Sequence, residues 1–383
     1  MIILITDAHV FNPEDKGIND VLIVGGKVVD ISREIDVEQY LKLNIPVNII
    51  AGEGKILTPG FIDPHVHLIG GGGEGGYHTR TPETHITDFV NAGITTAVGL
   101  LGTDKSSRHL ESLYAKTKAL TKEGMTALMY TGNYQLPVPT ITGSIEKDIY
   151  FIDTVIGTAE VAVSDHRSSQ PTTEELSKVV AETRVGGMTS GKAGVTHFHT
   201  GGGKKGLSQL FELLDNYDLP PSNIYPTHVN RTRNLITESA ALTGRGVTVD
   251  MTVGENIMED VREFINDGGS MDLLTLSSDG NGSLPVFNSD GSLSHLDVAK
   301  PETLLIGVVE MWKEGAVPFE TILKTVTVNT AEVLQLPDKG RVSPMYDADV
   351  LLFDSDYQLD TVIAGGEVLK QYGSTIVKGT FSK

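Results

Sequence analysis

The chain has 383 residues, 39% of them hydrophobic and 21% charged, which suits one large domain with a smaller companion and a sizeable buried core. A formal net charge of −20 argues against nucleic acid or an anionic membrane as partner, since neither is drawn to a field of its own sign. There is no cysteine, which excludes disulfides and thiolate ligands and leaves histidine and carboxylate to hold any metal.

Met1 to Asp7 lacks the basic region and long apolar stretch of a signal peptide and reads as a strand. No run approaches about 18 apolar residues, so a cytoplasmic protein without a spanning helix is expected. Ile2–Thr6, Val21–Val24 and Lys27–Asp30 read as short strands, the last two joined through Gly25-Gly26. The far end repeats the pattern, with Asp349–Phe353, then Thr361–Ala364 leading through Gly365-Gly366 to Glu367–Leu369. Two β-rich ends around a different middle predict a small β-sandwich formed from residues 1–57 and 340–383.

Residues 58–339 alternate. A strand at Phe61 is followed by apolar strand candidates at Thr95–Leu101, Thr126–Thr131, Thr154–Ser164, Val195–His199, Ile224–His228, Val247–Thr252 and Leu273–Ser277. Helical patterns lie between most of them, among them Glu174–Thr183, Gly206–Asn216 and Asp260–Asp267. Repeated βα units predict a parallel sheet, and eight predict an α/β fold of (β/α)8 TIM-barrel type. Such a barrel needs about 250 residues and carries its active site at the C-terminal strand ends.

Chemistry collects at those ends. The first strand closes in Asp63-Pro64-His65-Val66-His67, and residues two apart on a strand share a face, so His65 and His67 aim two imidazoles at one point, as zinc requires. Asp63 lies on the same face, and the run Gly70 to Gly73 leads to Glu74. Later apolar runs end in His199, His228 and Asp279, all metal-ligand types.

That ordered set resembles the binuclear metal hydrolases of the amidohydrolase superfamily. The segments His65–Glu74, Ser164-Asp165-His166-Arg167, Pro226–Arg231 and Ser277–Ser283 narrow the resemblance to the isoaspartyl dipeptidases. So do Leu101–Asp104 and Tyr130–Tyr134, and the likeness runs through nearly the whole chain. It implies an enzyme that cleaves the isopeptide bond of β-aspartyl dipeptides with two divalent ions, Zn²⁺ being the expected ion. His65, His67 and Asp279 would hold one metal, and His199 and His228 the other. Asp279 would take a proton from a metal-bridging hydroxide and pass it to the leaving amine. A homo-oligomer acting on a small dipeptide is also implied.

The substrate carries two carboxylates and one ammonium. Arg167 and Arg231 can each grip a carboxylate. Thr103 and Ser283 can add hydroxyl donors, Glu74 can take the ammonium, and the backbone near Gly72 can approach the ligand. Tyr134 can donate its phenol to the developing oxyanion. The plain alternative for the two arginines is an ordinary surface ion pair. His166 and His197 read as hydrogen-bonded structural imidazoles.

One position departs from the pattern. Many members of the superfamily bridge their metals with a carboxylated lysine on strand four, where this chain has Glu160 and no lysine at all between Lys147 and Lys178. Glutamate brings the same charge and two oxygens on a shorter stem, so Glu160 is expected to bridge directly. Two other classes compete. One is a different amidohydrolase, a hydantoinase-like cyclic amidase or an N-acyl amino acid amidohydrolase. The other is a barrel without metals that serves only in binding.

Overall fold

The computed structural model describes residues 2–42, 45–287 and 293–380. Eight parallel strands line the barrel: Phe61–Val66, Ile94–Gly99, Thr126–Thr131, Val155–Val163, Val195–Thr200, Ile224–Thr227, Val249–Thr252 and Leu274–Ser277. The first six form one continuous ladder, and the last two form another. The Val229 N–H donates to the Asp250 carbonyl at 3.3 Å across one seam. At the other, Val66 pairs with Gly280 and the His67 N–H donates to the Gly280 carbonyl at 2.8 Å. These bonds close the ring that the alternation predicts.

The strand residues alternate between two environments. Outward-facing Phe61, Phe198, Leu274 and Leu276 join the apolar layer shared with the helices. The inward set is unusually polar for a barrel core: Asp63, His65, Glu160, His197, His199 and Asp250 are all buried. Buried ionisable groups persist only when paired, hydrogen-bonded or ligated, so the interior already points to a site.

Of the three helices named from the sequence, two run longer than the pattern implies, while Gly206–Asn216 begins two residues later, as Ser208–Asn216. Thr173–Ser190 continues past Thr183 through Gly186-Gly187. A Cβ on Gly187 would lie 2.4 Å from the Gly194 Cα, so glycine lets this helix rest against the turn that enters the fifth strand. After the eighth strand, Ser283–Phe287 and Leu293–Val298 form an antiparallel pair that the sequence reading does not include.

The two termini build one nine-stranded sheet. The strand Ile2–Phe11 pairs with Asp15–Val24 on one side. On the other it pairs first with Val47–Ala51 and then with Ile56–Pro59, both parallel. Asp7, at φ 55°, marks the change between them. The C-terminal strand Val350–Phe353 joins Ile56–Pro59 antiparallel, and Leu359–Ala364, Glu367–Gln371 and Ser374–Thr375 extend the sheet. Ile3, Ile5, Val10, Val21, Leu57, Val350, Leu352 and Ile363 share its separate core. Among the described residues no helix is long and apolar enough to cross a membrane.

Candidate metal centre

Asp63 begins the site without entering it. Its Oδ1 accepts from the His65 N–H at 3.2 Å and from the Ser278 N–H at 3.3 Å, and its Oδ2 accepts from the Ser278 hydroxyl at 2.5 Å. The carboxylate thereby ties the first strand to the end of the eighth, one residue before Asp279. His228 and Asp279 both sit just past a strand end with left-handed backbone, at φ 57° and 52°. Such conformations are uncommon outside glycine and concentrate at functional sites.

Glu160 lies at the centre. Its strand carries an extra residue relative to its neighbour, since Thr158 pairs with Thr196 but Val161 with Phe198. A bulge of this kind re-aims a side chain. Glu160 Oε1 lies 3.6 Å from His65 Nε2 and 3.8 Å from His67 Nε2. Its Oε2 lies 2.7 Å from His199 Nδ1 and 3.3 Å from His228 Nε2. One oxygen thus faces each histidine pair. Asp279 Oδ1 lies 3.3 Å from His65 Nε2 and 3.1 Å from His67 Nε2.

Three ligand groups overlap here: His65, His67 and Glu160; His65, His228 and Asp279; Glu160, His199 and His228, the ligand atoms of each within 4.8 Å of one another. His65 Nε2, Glu160 Oε1 and Asp279 Oδ1 are buried and have no hydrogen-bond partner. Lone pairs converging without donors are what a cation requires, so the residues fit divalent metal. Histidine with carboxylate suits Zn²⁺, Mn²⁺ or Co²⁺.

The charge states agree. Burial lowers the pKa of His65, with opposing help from Asp279. Burial and Arg231 lower His199 to about 3 and carry His228 well below its ordinary value. All three are neutral imidazoles near pH 7. Burial opposes ionisation of Asp279, but the imidazoles of His65, His67 and His228 beside it outweigh burial and hold the carboxyl well below its usual range. Burial, then Asp279, drives Glu160 well above its usual range. A dication between the two carboxylates would restore the charge on Glu160.

Outer contacts fix which nitrogen of each ring faces the cluster. His197 Nδ1 donates to the Tyr225 carbonyl at 2.9 Å, so its Nε2 accepts from His65 Nδ1 at 2.9 Å and leaves the His65 Nε2 lone pair inward. His199 Nε2 donates to Asp165 at 3.0 Å, and His228 Nδ1 pairs with the Thr252 hydroxyl at 2.6 Å. Partners of this kind orient metal-binding imidazoles. The sequence reading gives His197 this structural part but assigns nothing to Asp165 or Thr252. His166 is no structural imidazole: its side chain is 91% exposed, because it points away from the barrel.

The remaining candidates ring the cluster. Tyr134 OH lies 2.8 Å from His199 Nδ1, and burial, then Glu160, keeps the phenol protonated. Arg167 grips Asp165 with two parallel bonds of 3.0 and 2.9 Å and reaches Glu74 at 3.0 Å. Glu74 also accepts from the Ser283 hydroxyl at 3.2 Å. Arg231 makes no ion pair among the described residues, yet its charge is felt by His199, His228 and Glu160. Thr103 Oγ1 is buried and unpartnered. Gly72, at φ 73°, pairs with Arg80, and a Cβ there would lie 2.5 Å from the Thr79 carbonyl oxygen. The surface-pair alternative thus describes part of Arg167 and none of Arg231.

Comparison with known proteins follows the same lines. Residues 56–380 match the profile of the amidohydrolase family. The crystal structure of β-aspartyl dipeptidase from Fervidobacterium islandicum AW-1, in complex with β-Asp-Leu dipeptide, is 42% identical with a TM-score of 0.91, covering 98% of each chain. Dihydropyrimidinase from Brevibacillus agri NCHU1002 is 16% identical with a TM-score of 0.65, over 98% of this chain and 96% of its own, and shares the fold. Dihydroorotase from Listeria monocytogenes serotype 4b is 33% identical over 142 residues, a match spanning 33% of this chain and 30% of the dihydroorotase.

Proposed function

This chain belongs to the amidohydrolase family, and from that premise we propose that it hydrolyses the isopeptide bond of β-aspartyl dipeptides. The observation that carries the reading is the arrangement of charge around the histidine–carboxylate cluster. Arg231 makes no ion pair among the described residues yet acts on the charge of His199, His228 and Glu160, and Arg167, Glu74 and Ser283 form a linked set beside His199. A dipeptide with one ammonium and two carboxylates can satisfy all of them. The full-length similarity to a β-aspartyl dipeptidase supports the same substrate.

His65, His67 and Asp279 would hold one divalent ion, His199 and His228 the other, with Glu160 between them and Zn²⁺ the proposed metal. Two such ions supply an acidified water and a polarised amide carbonyl. The protein's own part is proton transfer and orientation. Asp279 is ionised and takes the proton that water releases as the C–O bond forms. It delivers that proton to the amide nitrogen as the C–N bond breaks, leaving a carboxylate and a free amine. Tyr134, held as a neutral phenol, donates to the carbonyl oxygen as it gains charge. Arg167, Arg231, Thr103, Ser283, the Gly72 backbone and Glu74 orient the substrate. Residues 58–339 form the catalytic barrel in this reading, and 1–57 with 340–383 its companion. A cytoplasmic homo-oligomer belongs to the same reading and rests on the family resemblance.

The partial dihydroorotase match favours a second class, cyclic amides. Such rings offer no ammonium for Glu74. Hydrolysis of β-Asp-Leu, α-Asp-Leu and dihydroorotate, with metal content measured on the same sample, separates the readings. A kcat/KM for α-Asp-Leu or dihydroorotate comparable to that for β-Asp-Leu would sink the proposal.

A further inference from the structure

Arg108 is a buried cation with no place in the chemistry above. It lies in the loop after the second barrel strand, just before His109 caps the helix Leu110–Glu123, and it is 6% exposed. Among the described residues it has no carboxylate at ion-pair distance. Its guanidinium instead donates to three backbone carbonyls, those of Ile69, Gly71 (2.7 Å) and Thr81 (3.1 Å). Burial lowers its pKa without bringing a neutral form within reach of ordinary pH. A buried charge spent on neutral acceptors is costly, so what it secures needs an account.

What it secures is the loop that leads to Glu74. Gly70, Gly72 and Gly73 have φ of 75°, 73° and 102°. Glycines in this region have little intrinsic preference, so an outside contact must choose their conformation. Three carbonyls converging on one point also repel unless a cation lies between them. Arg108 supplies it. Thr81 completes the clip: its hydroxyl accepts from the Gly71 N–H at 2.6 Å and donates to the Asn281 carbonyl at 2.5 Å. Three mouth loops are joined at this point, and Glu74 lies three residues beyond Gly71, facing Arg167 and Ser283.

We propose that Arg108 is a positioning residue for the ammonium pocket, holding the glycine loop so that Glu74 meets the substrate amine without an ordering cost. The inference rests on the β-aspartyl dipeptide reading. The test compares Arg108→Lys, Arg108→Met, Glu74→Ala and the double variant Arg108→Met/Glu74→Ala with wild type. KM and kcat for β-Asp-Leu, metal content and amide exchange of residues 69–81 are measured. Arg108→Met should raise KM by about tenfold or more. It should leave kcat within about threefold, leave metal content unchanged and speed exchange at Gly71, Gly73 and Thr81. Arg108→Lys, which keeps the charge but not the fork, should lie between. On the Glu74→Ala background Arg108→Met should add little to KM. An equal KM penalty with and without Glu74, or unchanged loop exchange, overturns the proposal. Should Arg108→Met not fold, Arg108→Lys and its double with Glu74→Ala carry the same comparison. Failure of wild type to cleave β-Asp-Leu would remove the parent reading and the KM comparison. Unchanged loop exchange with normal wild-type cleavage would remove only the role of Arg108.

Discussion

Replacing Glu160 by glutamine tests the centre of the site, because it changes charge while keeping shape. Without metal the carboxyl is buried and driven toward its neutral form, so the wild-type fold gains little from its charge. Glutamine can present its amide N–H₂ to the neutral His199 Nδ1, now 2.7 Å from Oε2, and its oxygen toward His65 and His67. The metal-free variant should therefore melt at or above the wild-type temperature. The metal-bound state should behave in the opposite way, since a neutral amide cannot offset two dications. Loss of a contact that merely orients a ligand costs 10–100-fold in affinity, and loss of the shared carboxylate should cost at least the upper figure. A hundredfold weaker Kd removes about 2.7 kcal/mol of metal-linked stabilisation. Melting in chelator and in saturating metal, with metal counted on each sample, reads both effects. A variant that binds two ions and gains as much stability from them as wild type would refute the bridging role.

Asp279→Asn should retain some metal but lose about 10²–10⁴-fold in kcat, because an amide cannot accept the proton; activity within a few-fold of wild type removes Asp279 from the mechanism. Arg231→Met should raise KM for β-Asp-Leu by an amount corresponding to about 1.5–3 kcal/mol while leaving the melting temperature unchanged; unchanged kinetics contradicts a binding role. Asp250 accepts hydroxyl bonds from Thr227, Thr275 and Ser277, yet burial raises its pKa to about 7. The folded chain therefore holds a proton that the unfolded chain has released, and stability falls as pH rises from about 4 to about 7. Asp250→Asn should flatten that fall in metal-free protein, measured as melting temperatures at pH 5 and pH 8; an unchanged slope refutes it.

The candidate ligands His65, His67, His199, His228 and Asp279 are legible in the sequence because each closes an apolar run, and parallel barrels bring strand ends together whatever lies between them, whereas Glu160 lies within its strand, Val155–Val163. Side-chain partners across strands are less legible. Asp165 stands beside Arg167 in a segment that marks the resemblance, but its bond to His199 depends on two rotamers brought together from adjacent strands. Arg108 closes Asp104-Lys105-Ser106-Ser107-Arg108, which reads as a solvated turn. Only the packing of a loop 37 residues earlier in sequence turns it into a buried cation. The helix Leu110–Glu123 is equally hard to find, because one of its four buried positions, Leu110, Leu113, Thr117 and Leu120, is polar and breaks the apolar stripe. The long pairing of Ile2–Phe11 with three strands is not visible in any one segment, since the strand changes partner at Asp7.

The three oriented imidazoles are not held alike, and the difference runs along the site. His65 is fixed through another neutral ring, His228 by a hydroxyl and His199 by a carboxylate. An ionised partner raises the basicity of a ligand most, and Asp165 is ionised: burial opposes it, but His199 and Arg167 hold its pKa far down. The same Asp165 grips Arg167, which reaches Glu74. One carboxylate therefore orients a candidate metal ligand through Oδ2 and, through that same oxygen together with Oδ1, the arginine that reaches Glu74. Charge brought by a substrate carboxylate to Arg167 would compete with Asp165 and reach His199 through a single residue. In this geometry the arginine proposed to bind substrate and the imidazole proposed to hold metal belong to one hydrogen-bonded chain through Asp165, so the half-buried Arg167 is tied to the centre as well as to Glu74.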